Sequence, residues 1–311
     1  MVDTPQPIQK ENNLHKLAKA TVVFRNKPTL LLNLDHVMPM SVMLVAKELH
    51  GKNIPDLDVI LHTPGGHIES AYKIVKLLRK HAKKINVIVP SFAKSAGTLI
   101  CLSGETLMLS TISELGPLDV QIAEHQEGDI DTYKSALNGY KALEQIQNHA
   151  VENLDVATQL ILQRTGNRMR LQDIIKLAID FSGNTSGCLY NQIHPKTIAE
   201  SARYLDIGEQ YGVRILERYM GWDKIKATKV IHHLVYDYPS HEFIIDKEEL
   251  SKMGFAVQDI PSELEIPLET SAALLQGQDI KFFDIINPGS SKVKLENKNT
   301  KKNEKDSKKA K

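Results

Sequence analysis

An α/β fold built on a parallel sheet is what this sequence predicts, and three features of its first half predict it. Short aliphatic and β-branched runs alternate with helical patterns. Two of these runs lead into turn segments, Thr63-Pro64-Gly65-Gly66 and Pro90-Ser91-Phe92-Ala93-Lys94-Ser95-Ala96-Gly97-Thr98. Between the turns, apolar residues recur at helical spacing. Strands separated by helices pair in parallel through crossover connections that are almost always right-handed.

The elements follow in order. Thr21–Phe24 and Thr29–Leu32 read as strands, and Ser41–His50 as a helix. Val59–His62 is a short strand that runs into the Pro-Gly-Gly turn. Ile68, Ala71, Val75, Leu78 and Ala82 then share one helical face, with Lys73, Lys76, Arg79, Lys80 and Lys83 elsewhere on the helix. Ile85–Val89 is the next strand, Leu99–Leu102 a buried helix and Thr106–Leu109 a further strand. From Asp131 the pattern turns helical: Ala136, Leu137, Tyr140, Leu143 and Ile146, then Val151–Arg164, Leu171–Phe181 and Thr197–Tyr219. No internal repeat is seen.

Composition narrows the class. In 311 residues, 41% are hydrophobic and 25% charged, which is ordinary for a globular protein with a sizeable core. The only cysteines, Cys101 and Cys188, are too few for a disulfide framework and point to a reducing compartment. Cys101 sits in the apolar run Leu99-Ile100-Cys101-Leu102 and reads as a packed core thiol. The first residues, MVDTPQPIQKENN, lack the basic and apolar regions of a signal peptide, and no run is long enough to span a membrane. A cytoplasmic protein is expected. The net charge of +1 hides an asymmetry: Ser290–Lys311 holds nine lysines against three acids, so the tail carries +6 and the body −5. With no aromatic residue among those lysines, a disordered solubilising tail fits better than a nucleic-acid anchor. The expected domains are a flexible segment 1–14, a catalytic domain 15–288 with a helical extension from about 131, and a disordered tail 289–311.

The chemistry gathers at the two turns. Paired glycines at the start of a helix let the backbone bend and present N–H groups to an anion. Ser95 lies at the start of the next helix, where the dipole favours an oxyanion. Taken singly, one is a strand-to-helix turn and the other an N-cap serine. Taken together they lie 29 residues apart in one parallel sheet, so both turns fall at its C-terminal edge, where open α/β sheets bind ligands. The Gly66 and Ala96 N–H groups can then converge on one oxygen beside a hydroxyl, the arrangement of an oxyanion hole.

The stretch LHTPGG followed by VPSFAKSAGTLICLSGETLMLSTISELGPLD resembles the ClpP-class serine peptidases, and among them the serine dehydrogenase proteinase (SDH) type. The resemblance is good over Leu30–Gln121, with a weaker echo at Tyr238–Val257. It implies the ClpP/crotonase superfold, a parallel β-sheet superhelix, here with a helical C-terminal part. It also implies Ser95 as nucleophile, with Gly66 and Ala96 as the oxyanion donors. Peptide or protein substrates and a homo-oligomer, trimer or hexamer, are implied as well. No cofactor, metal or nucleic acid is expected, since neither nucleotide-binding glycine motifs nor metal-ligand spacings occur.

The chain departs from the pattern at the base. ClpP proper carries a His-Gln-Pro motif where this sequence reads Ser113-Glu114-Leu115-Gly116-Pro117-Leu118-Asp119, with no histidine. His241, in Tyr238-Pro239-Ser240-His241 with Asp246 five residues on, is the preferred base. Lys134 or Lys141 would serve in a lysine dyad like that of signal-peptide peptidase A-like relatives. Lys94, next to Ser95, projects the other way along an extended chain. His62 and His67 flank the glycine turn and are candidates to touch substrate; His232-His233 lack metal spacing and Trp222 reads as a packing residue. Two rival functions stay open: a crotonase-type acyl-CoA thioester enzyme, which would use the same two backbone donors, and a catalytically silent oligomeric scaffold.

Overall fold

The structure, a computed structural model, describes residues 13–119, 121–124, 132–166, 168–264 and 278–285. The predicted tail 289–311 and residues 1–12 of the predicted N-terminal segment lie outside the described residues. Helix α1 (Asn13–Arg25) leads into β1 (Thr29–Asn33), α2 (Pro39–Leu49), β2 (Ile54–His62), α3 (Ile68–His81) and β3 (Ala82–Val89). Then come β4 (Phe92–Ala93), α4 (Ala96–Cys101), β5 (Thr106–Leu109), β6 (Glu114–Leu115), β7 (Gln121–Glu124) and β8 (Thr132–Ser135). The chain continues through α5 (Ala136–Thr165), α6 (Leu171–Tyr190), α7 (Pro195–Met220), α8 (Lys224–His232), α9 (Lys247–Met253), β9 (Val257–Asp259) and β10 (Asp279–Phe283).

Among the described residues the main sheet runs β10-β1-β2-β3-β5-β9. All neighbours in it are parallel except β10, which pairs antiparallel with β1. The predicted α/β architecture with a parallel sheet is therefore what the chain adopts. Alternate residues of each strand enter opposite cores, as the two-residue period of a strand requires. Leu30, Leu32, Val59, Leu61, Val87, Val89, Leu107 and Leu109 pack on the α2–α3–α4 side. Leu31, Ile60, Ile88 and Met108 pack on the α1 side with Leu14, Ala18 and Val22.

The structure corrects one predicted strand. Thr21–Phe24 belongs to α1. Its β-branched residues suggest a strand, but Leu14, Ala18, Thr21 and Val22 fall on one helical face and bury against the sheet. Tertiary burial outweighs the weak local preference of Thr and Val. The end of α1 is held by Arg25, which pairs with the fully buried Asp58 at 2.5 Å. Asn86 donates to the same carboxylate at 2.8 Å. A buried charge needs such partners to persist.

Two short strands, β9 and β10, complete the sheet from the far end of the chain and carry no clear signal in the sequence. The helical second half is as expected, except that α5 is one 30-residue helix. It starts at Ser135, whose hydroxyl accepts from the Leu137 N–H at 3.1 Å, and stops at Gly166, with φ of 58°. Cys101 is buried in the main core, as predicted, and burial pushes its thiol pKa well up. Among the described residues no helix is long and apolar enough to cross a membrane.

Candidate active site

Beyond the C-terminal ends of β1, β2 and β3 the chain makes a second, shorter set of pairings. Val37 bridges Gly66 and Thr63 bridges Ala93, both in parallel. Strand β4 then pairs with β6. Leu115 of β6 exchanges both backbone hydrogen bonds with Ile245, at 3.0 and 3.1 Å. This ladder lines up the glycine turn, the serine turn, the Ser113–Asp119 stretch and the loop that carries His241. Residues scattered over most of the chain arrive at one place through backbone pairing.

Ser95 lies between β4 and α4 with φ of 51° and ψ of −116°. A positive φ is costly for a residue with a side chain, and with this ψ it is outside the left-handed helical well. Its neighbours are cleared for it. A Cβ at Gly65 (φ 119°) would lie 2.8 Å from Ser95 Cβ, and one at Gly97 would lie 2.6 Å from a Thr63 methyl. Gly65 and Gly97 therefore let the two turns touch.

The two predicted N–H donors are placed as follows. The Val37 N–H donates to Gly65 O and Val37 O accepts from the His67 N–H, each at 2.8 Å. That pattern turns the Gly66 N–H away from Val37. Ala96 is the first residue of α4, so its N–H has no acceptor within the helix.

The His241 ring is tied to a different acid from the predicted one. Its Nδ1–H donates to Asp119 Oδ1 at 2.9 Å. The other Asp119 oxygen accepts from the Ser135 hydroxyl at the start of α5. Asp246 instead caps α9, accepting from the Glu249 N–H at 2.9 Å. Its distance in sequence from His241 suggested a partner; its place just before a helix made it a cap. Burial by itself would lower the His241 pKa. The hydrogen bond and charge of Asp119, with Glu242 adding, outweigh burial and hold it above the ordinary value of 6.5. With Asp119 able only to accept, the Nδ1 proton is fixed and Nε2 keeps its lone pair. Among the described residues no hydrogen bond joins Ser95 Oγ to this ring.

The lysine candidates separate. Lys141 is half-buried on α5 and pairs with Glu144 at 3.1 Å. The Lys94 ammonium is held by Glu114 at 3.0 Å and Glu242 at 3.3 Å. Lys134 lies in β8, opposite Ile122, and its side chain lies outside the described residues.

His67, at the start of α3, is exposed beside the turn. His62 is instead buried: its Nδ1 pairs with Asn33 Oδ1 at 2.9 Å and its ring lies 4.2 Å from that of Phe92. Its Nε2 is buried without a hydrogen-bond partner. Burial lowers its pKa from 6.5 to about 4, so the folded protein holds it neutral. The unfolded chain takes up this proton first. The stability that His62 confers is thus fully present above pH 6.5 and is lost as pH falls toward 4, to a limit of about 3 kcal/mol. Urea melts at pH 7 and pH 5 are expected to differ accordingly, and His62→Gln to flatten that difference. Equal acid sensitivity in the variant would assign the loss elsewhere.

The glycine turn and the strained Ser95 both fall within one stretch matched by a protein family. Residues 41–176 carry the signature of the ClpP-like SDH-type serine proteinases. The family resemblance predicted above is to this same group. The matched stretch contains Gly66, Ser95, Ala96 and Asp119, and also Lys134 and Lys141; His241 lies beyond it. Over 106 residues the chain is 36% identical to an uncharacterized protein of Methanocaldococcus jannaschii, covering 30% of this chain and 37% of that protein. A second uncharacterized protein of the same organism is 30% identical over 122 residues, 39% of each chain. The chain thus spans about two-fifths of the length of these curated relatives. Among solved structures, it is similar to the 1510-N membrane-bound stomatin-specific protease in complex with a substrate peptide. That match has 14% identity and a TM-score of 0.41, and covers 81% of this chain and 84% of the other. ClpP1 from Listeria monocytogenes gives 13% identity and a TM-score of 0.37, over 80% and 98% of the two chains.

Proposed function

We propose that this chain is a serine-type peptidase that cleaves peptide bonds through an acyl-enzyme on Ser95. The observation that carries the reading is the ordered His241–Asp119 pair on a loop bridged, through Leu115, to the strand beside the strained Ser95 turn. In this reading the Ser95 oxygen attacks the scissile carbonyl while His241 Nε2 takes its proton. The Gly66 and Ala96 N–H groups receive the oxyanion. His241⁺ then protonates the leaving amine, and water deprotonated by the same ring releases the acyl group. Asp119 keeps the imidazole in the tautomer that this sequence of steps needs.

The test is a fluorophosphonate probe with mass spectrometry of the modified residue. Labelling confined to Ser95 is expected; a folded protein that resists the probe would remove the reading's main support. A lysine base at Lys134 is the competing assignment, because the family match includes Lys134 and stops short of His241. Loss of labelling in Lys134→Ala with retention in His241→Ala would favour it.

The same reading includes a cytoplasmic homo-oligomer, trimer or hexamer, and α6 supports the assembly. Ile174, Ala178, Ser182 and Ser186 bury one face of this helix, while Leu171, Ile175, Leu177, Ile179 and Phe181 stand exposed on the others. The apolar arc extends well past the buried face, with Gln172, Asp173, Lys176 and Asp180 on the opposite side, and an exposed apolar surface of this kind is normally covered. Sedimentation is expected to show an assembly of three or more chains, and Leu177→Glu with Phe181→Lys to shift it toward the monomer. A monomeric wild type would sink this part.

A further inference from the structure

We propose that Lys94 is a positioning residue that fastens the His241 loop to the nucleophile turn. The proposal rests on the peptidase reading of the same site, and its geometry is independent of that reading. The Lys94 backbone is fixed on both sides of the residue: its N–H donates to Thr63 O at 3.0 Å, and its carbonyl accepts from the Gly97 N–H at 2.7 Å. The side chain leaves this rigid frame across Gly116. A Cβ at Gly116 would stand 3.1 Å from both Lys94 Cβ and Cγ, so the bare glycine leaves the stem its path.

At the end of that path the ammonium meets three acceptors. Glu114 Oε1 lies at 3.0 Å, and the Glu242 carbonyl and carboxylate oxygens at 3.3 Å each. Lys94 Nζ donates to both Glu242 oxygens and forms an ion pair with Glu114. Glu114 belongs to β6, beside the serine turn, and Glu242 is the residue after His241. A cation held between two acids and a backbone carbonyl is placed to fasten the loop to the turn.

The three anchors of the loop act at different points. The Asp119 carboxylate holds the His241 ring, the Leu115 pairing holds Ile245, and Lys94 holds the peptide group between them. The Glu242 side chain is 76% exposed, so that arm alone is screened and weak. The backbone contact and the partly buried Glu114 carry the clamp. A shift of a catalytic group by about 1 Å costs on the order of 100-fold in rate, so a modest loosening is visible kinetically.

The test uses the full chain as Lys94→Met and Lys94→Arg, read in two ways. The first is the rate of Ser95 labelling by a fluorophosphonate, with kcat and KM on a fluorogenic peptide. The second is amide hydrogen exchange of residues 240–245. Lys94→Met is expected to lower labelling and kcat by about 10- to 100-fold with KM within about threefold, since it misplaces the base without touching bound substrate. Exchange in the loop is expected to quicken by about tenfold, and Lys94→Arg to restore both to within about threefold, the guanidinium reaching the same acceptors. Labelling or loop exchange unchanged in Lys94→Met overturns the clamp. If the wild type itself is not labelled, the peptidase reading fails and loop exchange alone decides whether Lys94 anchors the loop.

Discussion

Ser95→Ala is expected to lower peptide hydrolysis by at least about 10⁴-fold and to abolish fluorophosphonate labelling, with folding unchanged. The size of the effect follows from the chemistry. Removing the nucleophile leaves only the oxyanion donors and substrate binding, which in serine proteases still give about 10³- to 10⁴-fold over water. Folding should persist because, among the described residues, Ser95 Oγ makes no hydrogen bond that caps α4. The variant keeps a β-carbon at φ of 51°, so the backbone strain stays as well. A peptide assay on purified protein, with a circular dichroism melt of both forms, checks the expectation. Full activity in the variant would remove Ser95 from the mechanism.

The parts of this site that could be read from sequence are those made by consecutive residues. Pro64-Gly65-Gly66 and Ser95-Ala96-Gly97 announce their turns because a positive φ or a close contact restricts which residues can stand there. Each turn follows an aliphatic run of strand length, so its place at the sheet edge is also local information. The parallel pairing of the first half follows from alternation of strands and helices. Thr21–Phe24 was misleading because a helix was stabilised there by burial of its face against strands later in the chain. Strands β9 and β10 gave little pattern; β9 spans only three residues, and pairing to distant neighbours makes each of them a strand.

The partner of His241 is the instructive failure. Sequence proximity offered Asp246, and the fold supplies Asp119, 122 residues away. The two meet because β6 pairs with the chain at Ile245 and because the Leu118 N–H donates to Leu234 O at 2.8 Å. Neither contact leaves a mark on composition or periodicity. One signal was present: Asp119 closes the Gly-Pro-Leu-Asp stretch that stands where ClpP carries its histidine motif. An acid that follows Pro117 and Leu118, fully buried and without a neighbouring lysine or arginine in sequence, needs a distant donor to justify its charge.

Asp119→Asn is therefore expected to reduce kcat/KM by about 10⁴-fold, the magnitude seen when the orienting acid of a serine triad loses its charge. An amide at this position can donate to Nδ1, which favours the tautomer with its proton on Nε2 and removes the base. The pH profile offers a second reading. In the wild type, burial opposes protonation of His241, but Asp119 and Glu242 prevail and raise its pKa above 6.5. A general base works only when neutral, so activity should fall as pH drops through that raised value, and the limb should shift to lower pH in Asp119→Asn. The stability term has the opposite sense. A raised folded pKa stabilises the native state fully below 6.5 and loses that contribution as pH climbs through the folded value. Activity gained and stability lost across one pH interval is a signature that a purely structural histidine does not give. Asp246→Ala supplies the control: it removes the α9 cap, at a cost of about 1 kcal/mol, and should leave the pH limb where it was. If Asp246→Ala moves the limb and Asp119→Asn does not, the pairing assigned to His241 is wrong.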